Sequence, residues 1–171
     1  LNRSQLRCPP RSAISFAIMD KPISIAMYQP DIPQNMGAMM RLCACMDVSL
    51  EIIEPCGFPW NDKKINKSAM DYLSAVKITR HTDWDSFLLA MGKRRIILMT
   101  TKGAALHYDF EFKAGDVLLA GRESAGVPEN VHTRANARVV IPMENGQRSL
   151  NIVNATAMIV GEALRQTKWK T

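Results

Sequence analysis

The sequence is short of cysteine and histidine and has no long apolar segment. It contains four cysteines and three histidines in 171 residues. Four cysteines in a chain of this size do not indicate a disulfide framework, so we expect a reduced, cytoplasmic protein. No apolar run approaches the roughly 18 residues that a membrane span needs, and we expect a soluble protein. With 47% hydrophobic residues, the chain has enough apolar material for one domain with a full core.

Several common catalytic and binding motifs are also missing. There is no phosphate-binding GxxxxGK[ST] sequence, and no GxGxxG follows the first predicted strand, which argues against P-loop and NAD-type Rossmann domains. Cys43 and Cys45 lie too close together and lack partners for a zinc site. The three histidines show no ligand spacing, and no nucleophile elbow is present. The sequence therefore predicts neither a bound metal nor a serine-hydrolase site.

Positive charge is concentrated at the start of the chain. The formal net charge is +6; residues 1–18 contain three arginines and no acid, and subtracting them leaves +3 for the rest. The remainder is only mildly basic, a balance that permits nucleic-acid binding without requiring it. We interpret residues 1–18 as a leader, either an organelle transit peptide or sequence upstream of the true start, because Met19 stands just before the first strand. Residues 19–171 are then one domain.

Short apolar strands alternate with helical patterns from Met19 onward. We predict strands over residues 23–28, 50–53, 76–79, 95–100, 117–120 and 138–141. We predict helices over residues 36–46, 70–74, 82–91, 128–135 and 150–167, the third of them capped by Thr82-Asp83. This alternation predicts an α/β domain with a mostly parallel sheet flanked by helices.

Unusual polar or glycine-containing segments follow three of the predicted strands, at residues 99–103, 121–128 and 141–151. Ligands of open parallel sheets bind beyond the carboxyl ends of the strands. In the last segment, Ser149 and Asn151 can cap the final helix, and Arg148 adds a cation beside the helix N–H groups. Each segment alone is explained by an ordinary tight turn, but the three together indicate a binding site.

A fourth polar segment, residues 29–37, follows the first strand. Asn35 can cap the next helix, and Arg41 lies a turn and a half into that helix. An arginine at such a position is usually a solvated surface cation or an ion-pair partner. In the functional alternative, Arg41 faces the crevice at the strand ends.

The polar segments match one known family in order and spacing. The matching residues are Pro33-Gln34-Asn35-x-Gly37 with Arg41, Gly121-x-Glu123-x-x-Gly126-x-Pro128, and Ile141-Pro142-Met143 with Arg148-Ser149-Leu150-Asn151. They resemble the three motifs of the SPOUT methyltransferase superfamily, most of all those of the tRNA wobble-position ribose 2′-O-methyltransferases of TrmL type. The likeness extends from residue 23 to about residue 166.

The resemblance implies a fold, a cofactor and partners. The fold is an α/β domain whose C-terminal segment forms a deep trefoil knot, a rare exception to the rule that chains are not knotted. The cofactor is S-adenosyl-L-methionine, and the product is S-adenosyl-L-homocysteine. The partners are tRNA, not DNA, and a second copy of the chain, with the first and last helices at the interface. The implied cofactor-binding residues are Met99, Gly121, Ile141, Met143, Ser149 and Leu150.

The resemblance also implies the reaction, 2′-O-methylation of the ribose at tRNA position 34, a cytidine or modified uridine. Arg41 and Asn35 are the implied catalytic residues. Because a guanidinium is a reluctant base, Arg41 is expected to position the hydroxyl and stabilise charge, while Asn35 orients the substrate side. The implied substrate-side residues are Glu123, Arg148, Asn151, Lys63 and Lys64, with Lys67 in the same basic loop. Glu123 is expected to hold loop geometry through backbone N–H groups or Arg148.

Two positions depart from the family pattern. Met36 stands where relatives commonly have threonine, and we expect it to alter the substrate pocket beside Asn35. Gly161 stands in the final helix where relatives often have tyrosine, and we expect it to mark a close helix approach at the dimer contact. Two alternatives stay open: a ribose methyltransferase acting on another tRNA position or on ribosomal RNA, and a non-catalytic RNA-binding protein of the same fold.

Overall fold

Seven strands form one sheet in the part of the chain that the structure, a computed structural model, describes: residues 22–60, 76–102, 105–144 and 147–169. The strands are β1 (Ser24–Tyr28), β2 (Ser49–Ile53), β3 (Ile78–His81), β4 (Ile96–Met99), β5 (Ala105–Leu106), β6 (Val117–Ala120) and β7 (Ala137–Val140). Their order in the sheet is β3-β2-β1-β6-β4-β7-β5. All six pairings between these strands are parallel, so their carboxyl ends lie along one edge. The predicted α/β architecture with a parallel sheet is confirmed.

Four helices are described, and they connect or flank the strands. They are α1 (Pro33–Met46), α2 (Trp84–Met91), α3 (Glu129–Arg134) and α4 (Ile152–Thr167). Asp83 caps α2 as predicted: its carboxylate accepts from the Ser86 backbone N–H, and the Ser86 hydroxyl accepts from the Asp83 N–H. None of the described helices combines the length and apolar character that crossing a membrane requires.

The core is divided between the two faces of the sheet because successive strand residues point to opposite sides. Ile25 and Leu118 point to the face covered by α1 and α4, where Met40 is fully buried among them. Leu119 points to the opposite face, where Phe87 of α2 is fully buried. The sheet is therefore covered by helices on both faces, as expected for a parallel sheet.

Two strands differ from the sequence-based prediction by more than one residue at an end. β3 begins two residues later than expected and ends at His81. His81 is buried and its Nε2 lies 2.7 Å from the Glu51 carboxylate. This polar pair across neighbouring strands stabilises the strand as far as His81, two residues beyond its predicted end. β5 was not predicted: it has only two residues, and it pairs with β7. The helix predicted over residues 70–74 lies outside the described residues.

The two departures from the family pattern lie in different surroundings, one buried and one beside open space. Met36 is fully buried in the core between the sheet and α1. Met36 therefore lies beneath the surface beside Asn35, and its effect on the substrate pocket stays a prediction. A Cβ built on Gly161 meets no atom of the described residues within 4 Å, apart from the helix's own backbone. Within the described part of this chain, no close approach requires a glycine there.

Replacing Gly161 with alanine is expected to raise the free energy of unfolding by about 1 kcal/mol, since alanine is the better helix former by that amount. For a chain of this size the melting temperature should rise by about 2–4 °C, measured by calorimetry. Gly92→Ala is the matched control: its Cβ also meets open space, but its φ of +61° strains any side chain, so its melting temperature should fall. A lower melting temperature and a weaker dimer for Gly161→Ala would instead place the glycine at a contact between copies.

Candidate active site

Three strand ends predicted to carry a binding site are neighbours in the sheet. β6, β4 and β7 are consecutive, with Leu119 opposite Leu98 and Met99 opposite Val139. Met99 ends β4, while Gly121 and Ile141 directly follow β6 and β7. The ladder between β4 and β7 continues past the strands, where the Thr100 N–H donates to the Val139 carbonyl at 3.0 Å. The structure thus places three of the predicted cofactor-binding positions along one edge.

The segment after β6 is a tight loop closed by backbone hydrogen bonds. Arg122 and Gly126 each donate an N–H to the other's carbonyl, both at 2.9 Å. A Cβ on Gly121 would lie 2.7 Å from the carbonyl carbon of Gly126. Because that neighbour is backbone, only glycine fits at position 121. Glu123 and Ser124 lie inside this closed loop, which fixes the positions of their side chains.

A side-chain network joins the loop after β6 to the first turns of α1 and α4. Asn35 Nδ2 donates to Glu123 Oε1 at 3.1 Å, across 88 residues of sequence. Asn151 Nδ2 donates to Asn35 Oδ1 at 3.1 Å, across 116 residues. Asn35 is therefore held on both sides of its amide. Three residues predicted for the site from separate motifs meet in one place.

A second set of bonds joins Glu123 to Asp31, which lies between β1 and α1. The Asp31 N–H donates to Glu123 Oε2 at 3.2 Å, and the Glu123 N–H donates to Asp31 Oδ1 at 3.1 Å. Hydrogen bonding with Glu123, then the Ser124 donors, lowers the pKa of Asp31 to about 2. Burial, with Asp31 alongside, raises the pKa of Glu123. The pKa values of the two neighbouring acids are thus shifted in opposite directions, that of Asp31 downward and that of Glu123 upward.

Arg122 and Gln29 reinforce the same edge of the sheet. Arg122 Nη2 donates to Gln29 Oε1, and the guanidinium carbon lies 5.5 Å from the centre of the Tyr28 ring. Gln29 has a φ of +45° and also donates its amide to the Glu54 carbonyl at 3.4 Å. The loops after β1, β2 and β6 are therefore tied together. Sequence reasoning gave no role to Arg122, Gln29 or Asp31, because their partners come from distant segments.

Of the three predicted caps at the two site helices, the structure confirms the one by Asn151 and corrects those by Ser149 and Asn35. Asn151 Oδ1 accepts the N–H groups of Val153 at 2.9 Å and Asn154 at 3.4 Å, so it caps the helix as predicted. Ser149 precedes that cap and is exposed. Asn35 does not cap α1. It lies inside the first turn, the cap position is Ile32 without a side-chain bond, and the Asn35 amide serves Glu123 and Asn151 instead.

The remaining predicted residues that the structure describes differ in their exposure. Arg41 is exposed on α1, six residues after Asn35. Arg148 and Leu150 are exposed before α4, and Met143 is half-buried after β7. The basic loop residues Lys63, Lys64 and Lys67 lie outside the described residues. In the described part of the chain, no group of three or more His, Cys, Asp or Glu side chains has the geometry of a metal site.

A family comparison now decides what kind of protein carries this site. The family described as the SpoU rRNA Methylase family matches residues 22–161, which is most of the chain. The chain belongs to this family. The match includes the whole Asp31, Asn35, Glu123 and Asn151 network. The hydrogen-bonded site of this SpoU methylase therefore lies within the segment that matches the family.

Individual relatives are more specific than the family description. This SpoU methylase is 52% identical over 145 residues to the tRNA (cytidine(34)-2'-O)-methyltransferase of Beijerinckia indica subsp. indica, covering 83% of this chain and 90% of that protein. It is 35% identical, with a TM-score of 0.81, to a solved structure reported with structural insights into the 2-OH methylation of C/U34 on tRNA. That match covers 86% of this chain and 97% of the other. The likeness therefore spans nearly the whole of these relatives.

One solved relative includes a cofactor. The SpoU methyltransferase AviRb of Streptomyces viridochromogenes, in complex with AdoMet, is 26% identical to this SpoU methylase with a TM-score of 0.72. The match covers 86% of this chain and 60% of that protein. A methyltransferase that contains a similar fold thus binds AdoMet.

Proposed function

We propose that this SpoU methylase transfers a methyl group to the ribose 2′-hydroxyl of the wobble nucleotide, position 34, of tRNA. The observation that carries the proposal is 52% identity over 90% of the length of a tRNA (cytidine(34)-2'-O)-methyltransferase. The hydrogen-bonded Asn35, Glu123 and Asn151 site supports it, since a protein that only binds RNA does not need a fixed amide next to a carboxylate. The substrate base is a cytidine or a modified uridine.

S-adenosyl-L-methionine is the proposed methyl donor, and the residues of the sheet edge fit it. Met99 is half-buried and offers apolar surface, and the backbone at Gly121 is not screened by a side chain. The adjacent ends of β6, β4 and β7 form a ligand edge of the kind seen in parallel sheets. Met99, Gly121, Ile141, Met143, Ser149 and Leu150 would hold the cofactor, largely through main-chain groups.

The reaction requires alignment more than strong base chemistry. The bound cofactor supplies a methyl group on a sulfonium, an electrophile that needs no further activation. When bound, the cofactor would supply this methyl group to the ribose oxygen and leave as its thioether, and the hydroxyl proton would pass to water. Because a guanidinium stays protonated in proteins, Arg41 acts as a fixed cation that positions the ribose and stabilises charge developing on its oxygen. Asn35 orients the ribose, and its two hydrogen bonds hold it in one rotamer.

The substrate side of the site is proposed to include Glu123, Arg148 and Asn151. Glu123 acts chiefly by holding Asn35 and the Asp31 backbone, which corresponds to the expected role in loop geometry. Arg148 is exposed beside α4 and can meet an RNA phosphate. Lys63 and Lys64 would extend this basic surface.

Two further features of the family belong to the proposal. The C-terminal segment forms a deep trefoil knot, in line with a strand order in which β6, β4 and β7 are adjacent out of sequence order. The working enzyme is a homodimer with α1 and α4 at the interface. Met158 on α4 and Leu150 just before it are 47% and 43% exposed, which leaves apolar surface for a second copy to cover.

Methyl transfer from labelled S-adenosyl-L-methionine to unmodified bulk tRNA, followed by nucleoside mass spectrometry, tests the proposed function. The expected product is a 2′-O-methylated pyrimidine that maps to position 34. Ribosomal RNA is the parallel substrate, because the family description names it. Methylation of ribosomal RNA alone would replace the proposed function with the second candidate, a ribosomal RNA ribose methyltransferase. Saturable cofactor binding without methyl transfer to either RNA would indicate a non-catalytic protein.

A further inference from the structure

Asp31 stands where three loops converge. It lies in the segment between β1 and α1, and β1 pairs with both β2 and β6. The carboxyl ends of those three strands therefore bring residues 29–32, 54–58 and 121–126 together. Asp31 is half-buried at this junction, and it is not among the residues to which the family motifs assign a role.

The Asp31 carboxylate is bound by three donors from the loop after β6. Oδ1 accepts the Glu123 N–H at 3.1 Å. Oδ2 accepts the Ser124 N–H at 3.3 Å and the Ser124 hydroxyl. In return, the Asp31 N–H donates to Glu123 Oε2 at 3.2 Å. The Asp31 side chain thus holds the Glu123 backbone, and the Asp31 backbone holds the Glu123 side chain.

The other oxygen of Glu123 transmits this arrangement to the reacting side of the site. Glu123 Oε1 accepts Asn35 Nδ2, and Asn35 Oδ1 accepts Asn151 Nδ2, both at 3.1 Å. A displacement of Glu123 must therefore move or free the Asn35 amide. Asp31 has no direct bond to Asn35, so any influence on it passes through Glu123.

The loop after β2 supports Asp31 from behind. The Gly57 N–H donates to the Pro30 carbonyl at 2.9 Å. A Cβ on Gly57 would lie 2.7 Å from the Asp31 Cβ and 3.0 Å from its Cα. The backbone segments around Gly57 and Asp31 are therefore in contact. This contact prevents Asp31 from moving away from Glu123.

We propose that Asp31 is a positioning residue of this methyltransferase: its carboxylate fixes the Glu123–Ser124 backbone, so that Glu123 holds the Asn35 amide in the reactive orientation. This deepens the proposed function and rests on it for the reaction itself. Loss of the three hydrogen bonds should lower the rate of the chemical step and leave cofactor affinity unchanged, because the bonds involve no residue assigned to the cofactor.

The test is Asp31→Asn, which keeps the volume and removes the charge. We expect kcat for tRNA methylation to fall about tenfold, while the Kd for S-adenosyl-L-methionine stays within about twofold. In a Glu123→Ala background, Asp31→Asn should have almost no further effect, since residues acting in one network are not additive. Asp47→Asn is the matched control: Asp47 follows the other end of α1, binds Lys168 and is 90% exposed in its side chain, so kcat should not change.

A second readout is independent of activity. The side-chain amide NMR signals of Asn35, assigned by their loss in Asn35→Asp, should shift in Asp31→Asn and stay in place in Asp47→Asn. If the wild type methylates no RNA, the proposed function fails, and this shift still decides the role of Asp31. If Asp31→Asn does not fold, Ser124→Ala decides instead, with kcat expected to fall about threefold. Unchanged kcat and unchanged Asn35 signals, or fully additive losses with Glu123→Ala, overturn the proposal.

Discussion

Arg41→Ala should lower kcat for tRNA methylation about 100-fold, the usual size of the loss when one group that stabilises transition-state charge is removed. Arg41 is exposed on α1, and surface substitutions usually change stability by less than about 0.5 kcal/mol. The loss should therefore appear in the rate and not in the melting temperature. Single-turnover methylation with saturating cofactor and tRNA measures the chemical step directly.

Two further variants sharpen the test of Arg41. Arg41→Lys keeps the positive charge but loses the planar fork of donors, so a rate between those of the wild type and Arg41→Ala is expected. Arg134→Ala, at the exposed end of α3, removes a cation of the same type outside the site and should leave kcat unchanged. Full methyl transfer by Arg41→Ala would remove Arg41 from the mechanism.

Glu123→Ala is expected to lower kcat at least about 100-fold, since misplacement of a catalytic group by about 1 Å has an effect of this size. The substitution removes the acceptor for Asn35 Nδ2 and for the Asp31 N–H together. Cofactor affinity, measured by calorimetry, should remain near that of the wild type. Glu111→Gln alters an exposed acid that only approaches Lys113 at 3.9 Å and serves as the control.

Glu123 also makes the stability of the folded protein depend on pH, in a direction that its pKa shift defines. Burial raises the folded-state pKa of Glu123 above its ordinary 4.5. Its contribution to stability is therefore fully present below that value and is lost as the pH rises through the folded pKa. Glu123→Gln does not titrate, so urea unfolding should show it gaining stability relative to the wild type as the pH rises above about 4.5. A relative loss of stability over that range would contradict the raised pKa.

Local sequence was sufficient for several elements because the forces involved act within a few residues. The run of apolar residues 117–120 is β6 as predicted. Asp83 and Asn151 cap their helices because a short polar side chain reaches N–H groups two or three residues ahead. The alternation of strands and helices determined the parallel α/β fold. The motif order also indicated which strand ends form the site.

Features that depend on distant partners could not be read from the sequence. Asn35 looked like a helix cap, but Glu123 and Asn151, 88 and 116 residues away, determine its orientation. β3 extends to His81 because Glu51 on the neighbouring strand pairs with that buried imidazole. β5 has no strand pattern of its own and exists because β7 offers an edge.

The sequence by itself determined the elements, the family motifs and the edge of the sheet at which they gather. Only the tertiary structure decided that the Asp31 carboxylate accepts the Glu123 N–H and that Gly57 lies against Asp31. It also decided that Glu123 accepts the Asn35 amide N–H. The physical reason is that the order of the strands in the sheet decides which loops meet. No local sequence pattern shows that order. Hydrogen bonds between those loops then form between residues 25 to 116 positions apart, beyond the reach of any local pattern.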